Sequence, residues 1–342
     1  MSSSVQAVVV HAAGDVRIEE RPRPVPGPSE VLLAMSHGGI CGSDLHYYRH
    51  GAVGAFTLAE PLTLGHEVVG TVAEDPSGRL APGTAVAVHP GTSCGDCPEC
   101  GRGLPQVCRD SRYLGSAAHR PHTQGGFTGQ LAVPGDRLRV LPPELPLSRA
   151  VLVEPLAVGI HAVGRAGDVT GARVLVNGAG PIGILAGVAA RAAGAGEVWA
   201  ADLLDHPLRL AERTGADRTV RIGAGTLPED FFDVVVEASG APAGLASALA
   251  AVRRRGVIVQ LGSLPGGPVN APLASLVAKE VDLRGTFRFD TEIDDAIALL
   301  ATTDGPEAVI THTFPMRDAA EALAVAGDPA ASGKVVLRLD GS

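Results

Sequence analysis

Residues 172–202 read "ARVLVNGAGPIGILAGVAARAAGAGEVWAAD". A short apolar run enters a G-x-G-x-x-G turn, an Ala- and Leu-rich stretch follows, and a second apolar run closes on Asp202. That order predicts strand, turn, helix and strand, with the turn built for a pyrophosphate. Gly178 permits the tight turn, Gly180 lets the backbone approach the ligand, and Gly183 allows close helix packing. Pro181 and Ile182 open the helix, whose N-terminus offers N–H donors and a partial positive charge. The Asp202 carboxylate suits a ribose 2′-hydroxyl and repels a 2′-phosphate. NAD is therefore the expected cofactor, with NADP the alternative if Arg209 reaches a phosphate.

The same alternation extends outward. "FFDVVVEASG" (231–240) leads into "APAGLASALAAVRR" (241–254) and then "GVIVQLG" (256–262). Buried strands alternating with helices imply a parallel sheet covered on both faces. Before residue 150 the pattern differs: "QAVVVH", "EVLLAM", "EVVGTVAED" and "TAVAVHPG" are short β-type runs broken by Gly and Pro. Such spacing predicts a barrel-like or sandwich all-β region. The expected domains are 1–150, with a cysteine lobe at 90–110, then 151–285, then a return to the first domain over 286–342.

The 342 residues carry a net charge of −9 with 45% hydrophobic and 19% charged residues, a folded composition. No basic run is present, which argues against a nucleic-acid partner. No apolar run approaches the ~20 residues of a membrane span. The N-terminus lacks the basic and apolar regions of a signal peptide, so a cytoplasmic location is expected. Lys279 and Lys334 are the only lysines in an Arg-rich chain, which reads as compositional bias.

"CGDCPECGRGLPQVC" (94–108) holds Cys94, Cys97, Cys100 and Cys108 as C-x2-C-x2-C-x7-C. Four thiolates fill a zinc tetrahedron and leave no open position, so this is a structural site. The ferredoxin spacing would require x3-C-P, which is missing, and a chain without an export signal is a poor candidate for disulfides. Cys41 in "GGICGSDLHYY" and His66–Glu67 in "LGHEVVG" form a second set. A catalytic zinc keeps few protein ligands and one open position. No further cysteine remains, so a carboxylate must complete the set, either Glu67 or Glu154 in "VLVEPLAVGIHA".

Taken in order, "GGICGSDLHYY", "GHEVVGTV", the four-cysteine lobe, "EPLAVGIHA" and "GAGPIG" resemble the zinc-dependent medium-chain alcohol and polyol dehydrogenases over essentially the whole chain. The "EP" pair matches the sorbitol and L-idonate branch, where other members place a further cysteine ligand. "YLGSAAHRPHTQGGF" (113–127) and "GTFRF" (285–289) tilt the resemblance towards L-idonate oxidation.

The resemblance implies an α/β protein in which a GroES-like β-barrel catalytic domain is interrupted by a doubly wound Rossmann domain. It implies one catalytic zinc on Cys41, His66 and Glu67, with Glu154 binding the zinc water or exchanging with it, and one structural zinc. Ser43 and His46 match a proton relay, and Tyr47, Phe127 and Arg288 the substrate pocket. The implied reaction is NAD-linked oxidation of L-idonate to 5-keto-D-gluconate, with a neutral polyol such as sorbitol or xylitol as the alternative substrate. A homotetramer or homodimer is the expected assembly. His119, Arg120 and His122 either add positive potential near the pocket or lie in a solvated loop.

Overall fold

In the computed structural model, which describes residues 4–341, the strand Arg173–Asn177 lies centrally in a six-stranded parallel sheet. The neighbours run Arg218–Arg221, Glu197–Asp202, Arg173–Asn177, Phe232–Glu237, Val252–Gln260 and Asp282–Gly285. The order reverses between Arg173–Asn177 and Phe232–Glu237, which makes the ends of these two strands the topological switch point where such sheets bind ligands. Their apolar runs are continuous because both faces are covered. Leu175, Trp199 and Val235 pack with Leu245, Ala248 and Leu249 of the helix Pro242–Ala251. Val176, Val198 and Ala200 face Ile184 and Val188 of Pro181–Ala192 and Ala211 of Asp205–Arg213. Adjacent positions on a strand thus serve opposite layers, as the period of two demands.

The chain forms two units. The first comprises residues up to Glu154, Ile310–Asp328, and the chain from Lys334 on; the second comprises Pro155–Val309 with Pro329–Gly333. In the first, a seven-stranded sheet runs Leu138–Val140, Ala85–Val88, Glu67–Glu74, Glu30–Gly39, Lys334–Arg338 and Ile310–Pro315, with Gln130–Pro134 also pairing on Glu30–Gly39. A three-stranded sheet of Asp15–Pro22, Ser4–Ala12 and Leu62–Thr63 lies beside it in sequence and shares its core. Val8, Leu33, Met35, Leu64, Phe127 and Leu337 are among the core residues, each at most 2% exposed. Among the described residues, no helix is long and apolar enough to cross a membrane.

The unit boundaries differ from the expected ones. The chain returns to the first unit at Ile310 rather than 286, because the helix Glu292–Thr302 belongs to the second. Its Ile293, Ala296, Ile297 and Leu300 are buried. His161, from the helix Val153–Ala166, also meets Glu292 at 2.6 Å. Burial raises the Glu292 pKa, but His161 and the backbone N–H groups of Asp290 and Glu292 outweigh it, and the net pKa is about 2. A depressed carboxyl stabilises the fold above its ordinary value, and that contribution fades as pH falls from about 4.5 towards 2. E292Q is expected to lower stability at neutral pH by about 2 kcal/mol, discounted for the pair's partial exposure, and by much less near pH 3. Thermal melts at the two pH values measure it.

Candidate metal and dinucleotide sites

Cys41 ends up beside His66 because one buried carboxylate ties their backbones together. Cys41 caps the helix Gly42–His50, and its N–H donates to Asp44 Oδ2 at 2.9 Å. Asp44 Oδ1 accepts from the N–H of Gly65 at 3.2 Å. Asp44 is fully buried, and burial raises its pKa against the pull of His66 and these N–H groups. Gly65 has φ +98°, and a side chain there would run into the Phe127 ring. A Cβ on Gly39 would strike the Glu67 carboxylate. The two glycines therefore leave the room that lets His66 and Glu67 turn inward.

Ligand atoms of Cys41, His66 and Glu67 all lie within 4.8 Å of one another. Burial would lower the His66 pKa, but Cys41, Asp44 and Glu154 raise it to about 10. A half-buried thiol and a buried imidazole and carboxylate, convergent, are a donor set suited to zinc. Glu154 lies outside this tight group. It is buried, and burial raises its pKa to about 7 against the pull of His66 and the Tyr113 hydroxyl, which donates to it at 2.7 Å. The Tyr113 ring in turn packs 5.5 Å from that of His66.

The four-cysteine lobe has tetrahedral spacing. Sγ–Sγ separations are 3.4 Å for Cys94–Cys108, 3.5 Å for Cys97–Cys100, 3.8 Å for Cys97–Cys108 and 4.0 Å for Cys94–Cys100. A zinc–sulfur bond of about 2.3 Å implies a tetrahedron edge of about 3.8 Å. A disulfide would need about 2.05 Å, and all five cysteines are free. Backbone N–H groups of Cys100 and Arg109 pull the Cys97 thiol down to about 6, which favours the thiolate a metal requires.

At the switch point, Gly178 has φ +101° and Gly183 packs so closely that a Cβ would collide with Gly178 O. The space at Gly180 is open, as a pyrophosphate cradle needs. Asp202 accepts from the Ala179 N–H at 2.8 Å and the Leu204 N–H at 3.0 Å, which holds the turn while leaving lone pairs for a ribose. Arg209 is exposed on the helix Asp205–Arg213.

Profile comparison matches residues 27–143 to the alcohol dehydrogenase GroES-like domain and 181–302 to the zinc-binding dehydrogenase domain. The chain is 39% identical over 313 residues to L-idonate 5-dehydrogenase (NAD(P)(+)) of Escherichia coli, covering 90% of this chain and 91% of that one. It belongs to the zinc-binding medium-chain dehydrogenases. Sorbitol dehydrogenase of Gallus gallus is 37% identical over 334 residues, covering 92% and 91%. The crystal structure of Escherichia coli L-idonate 5-dehydrogenase superposes with a TM-score of 0.94 at 37% identity, covering 98% of each chain.

Within this dehydrogenase fold, several expected site residues take other places. Phe127 is 0% exposed and lies in the core against Gly38 and Gly65. It supports the His66 turn instead of lining a pocket. Tyr47 is also buried, and its hydroxyl accepts from the Ala117 N–H at 2.9 Å. Both were legible as apolar aromatics, and the core claims them. His122 accepts from the Ala59 N–H through Nε2, so Nδ1 carries the proton to His119 O. His119 meets Ser111 O at 3.0 Å. His119 Nδ1 also lies 3.5 Å from Asp110 Oδ1, so both histidines brace the 113–127 loop instead of being freely solvated, and of the three residues Arg120 alone is exposed. Ser43 is half-buried and His46 exposed, three residues apart on one helix. Arg288 adopts φ +53° and lays its guanidinium 4.7 Å over the Phe287 ring. A cavity of about 400 Å³ lined by Val5, Gln6, Met35 and Leu339 contains none of these residues.

Three participants escaped the sequence reading: Asp44, Tyr113 and Lys334. For Lys334 a signal existed, since a chain that writes nearly every other basic residue as Arg kept a lysine there.

Proposed function

We propose that the chain oxidises a secondary hydroxyl of a sugar acid, L-idonate to 5-keto-D-gluconate, using zinc and NAD, with NADP as a second cofactor. The observation that carries the reading is the convergent Cys41–His66–Glu67 cluster with the buried Glu154 near it, in a chain so similar to L-idonate 5-dehydrogenase. When bound, zinc supplies Lewis-acid polarisation of the hydroxyl to be oxidised, and the nicotinamide supplies the hydride acceptor.

The protein's own groups provide the rest. Cys41, His66 and Glu67 hold the metal, and Cys94, Cys97, Cys100 and Cys108 hold the structural ion. Glu154, oriented by Tyr113 and with its pKa near 7, can hold or release a proton at the site. Ser43 accepts the proton lost by the substrate hydroxyl, and His46, one helical turn on, passes it to solvent. Gly178, Gly180, Pro181, Ile182 and Gly183 cradle the pyrophosphate, and Asp202 binds the ribose. The reaction balances as one hydride to the cofactor and one proton to solvent.

Arg288 is assigned to the substrate carboxylate, which its planar fork can grip in two-pronged fashion. R288A is expected to raise KM for L-idonate at least about tenfold while changing KM for sorbitol less than about threefold. Equal effects on both would remove Arg288 from carboxylate recognition. The second reading, a neutral polyol dehydrogenase, is supported by the similarity to sorbitol dehydrogenase.

Self-association is part of the proposal. Leu273, Val277, Leu283 and Phe287 are exposed on or near Asp282–Gly285, the edge strand of the sheet among the described residues, and an open edge flanked by exposed apolar side chains favours a partner copy. A cytoplasmic location fits cysteines kept as thiols for metal.

A further inference from the structure

Lys334 is 2% exposed and Glu67 0% exposed, yet both are ionisable. The Lys334 Nζ donates to Glu67 Oε1 and Oε2, each at 2.7 Å, and to Ile40 O at 3.1 Å. All three ammonium protons are thereby used. Ile40 precedes Cys41 and Glu67 follows His66, so one side chain spans the two turns that carry the metal-site ligands. It arrives from Lys334–Arg338, a strand far away in sequence, and the Ile40 N–H reinforces the junction by donating to Val335 O at 2.9 Å. Lys279, the other lysine, also converges on acceptors, meeting the Asp230 carboxylate at 2.5 Å and the carbonyls of Leu249, Ala250 and Val252. Both lysines thus stand where a compact ammonium with three donors is needed, and a flat guanidinium fork would not distribute its bonds this way.

A buried carboxylate without a cation is costly, and so is a second cation brought beside one already present. The pair is therefore complete before a metal arrives. We propose that Lys334 is a positioning residue that serves as a built-in counter-ion for Glu67: it keeps the site assembled without metal and limits how much negative charge Glu67 offers to the ion. This rests on the metal-site reading above. Removing the ammonium leaves Glu67 uncompensated until zinc binds, so zinc must bind the variant more tightly.

The test is zinc affinity by competition with a chromogenic chelator for wild type, K334M, K334R and K334M/E67Q. C41A, which retains the four-cysteine lobe, serves as the reference isotherm. K334M is expected to bind the Cys41-dependent zinc at least about tenfold more tightly than wild type, and its metal-free melting temperature to fall by about 10 °C, a gap that narrows with zinc. K334R keeps the charge beside Glu67, although its fork distributes the bonds differently, and so keeps wild-type affinity within about threefold, and K334M/E67Q regains most of the lost metal-free stability. Weaker or unchanged zinc affinity in K334M overturns the proposal, as a merely structural lysine would loosen the site. Should K334M fail to fold, K334M/E67Q is expected to fold, and its failure overturns the proposal equally. If C41A binds as much zinc as wild type, it is the metal-site reading that fails.

Discussion

Replacing Cys41 with Ala is expected to leave a folded protein that holds one zinc per chain instead of two and turns over at least about 1,000-fold more slowly. The site has three convergent ligand groups, and removing the thiolate removes the strongest of them. Losing Lewis-acid polarisation costs several kcal/mol of transition-state stabilisation, and each 1.36 kcal/mol is about a factor of ten. H66A should behave alike. Cys41 is only half-buried and its backbone bond to Asp44 does not involve the thiol, so the capped helix Gly42–His50 survives. Metal analysis and kcat on the same sample check both parts. Full activity with one zinc would place the chemistry elsewhere.

C94A should have the opposite profile. The lobe at 94–108 is held by four sulfurs at tetrahedral spacing and by Glu99, which pairs with the exposed Arg102 and Arg109; none of the residues in its two short helices, Pro98–Gly101 and Pro105–Val107, is buried. Metal binding in such a lobe is its folding energy. C94A is expected to lose the structural zinc, expose the lobe to protease, and shorten the half-life of activity on heating at least about tenfold, while kcat of freshly prepared enzyme stays within about threefold of wild type. Limited proteolysis with sequencing of the fragments would locate the cut within the lobe.

The contrast between these two variants follows from what was legible in sequence. The four cysteines carry their own geometry, because short spacing alone forces the sulfurs together. The G-x-G-x-x-G run was equally readable, since each glycine answers a local backbone demand, and the structure puts the run at the switch point of the sheet. The Cys41, His66 and Glu67 set is readable from its ligand-type residues in two Gly-flanked turns, but its geometry is not, because twenty-odd residues separate Cys41 from His66 and only the folded chain brings in Asp44 to join their turns. Lys334 lies too far along the chain for spacing to say anything. Resemblance places Tyr47 and Phe127 in the pocket, but burial in the core decides their place, and neither a position on the helix Gly42–His50 nor one in the loop before Gln130–Pro134 tells a pocket aromatic from a core aromatic. The domain return at Ile310 was misplaced because an Ala- and Leu-rich helix packs equally well, as a pattern, on either unit; the His161–Glu292 pair that helps fix it joins residues far apart in sequence.

Oxidation of a sugar acid is the proposed activity of this site. The most direct measurement is the initial rate of NADH formation, followed by its near-ultraviolet absorbance, with L-idonate, sorbitol, xylitol and D-gluconate compared at equal concentrations and NADP run in parallel. The kcat/KM for L-idonate is expected to exceed that for either neutral polyol by at least about tenfold, with NAD the better cofactor. Faster turnover of sorbitol or xylitol than of L-idonate would contradict it.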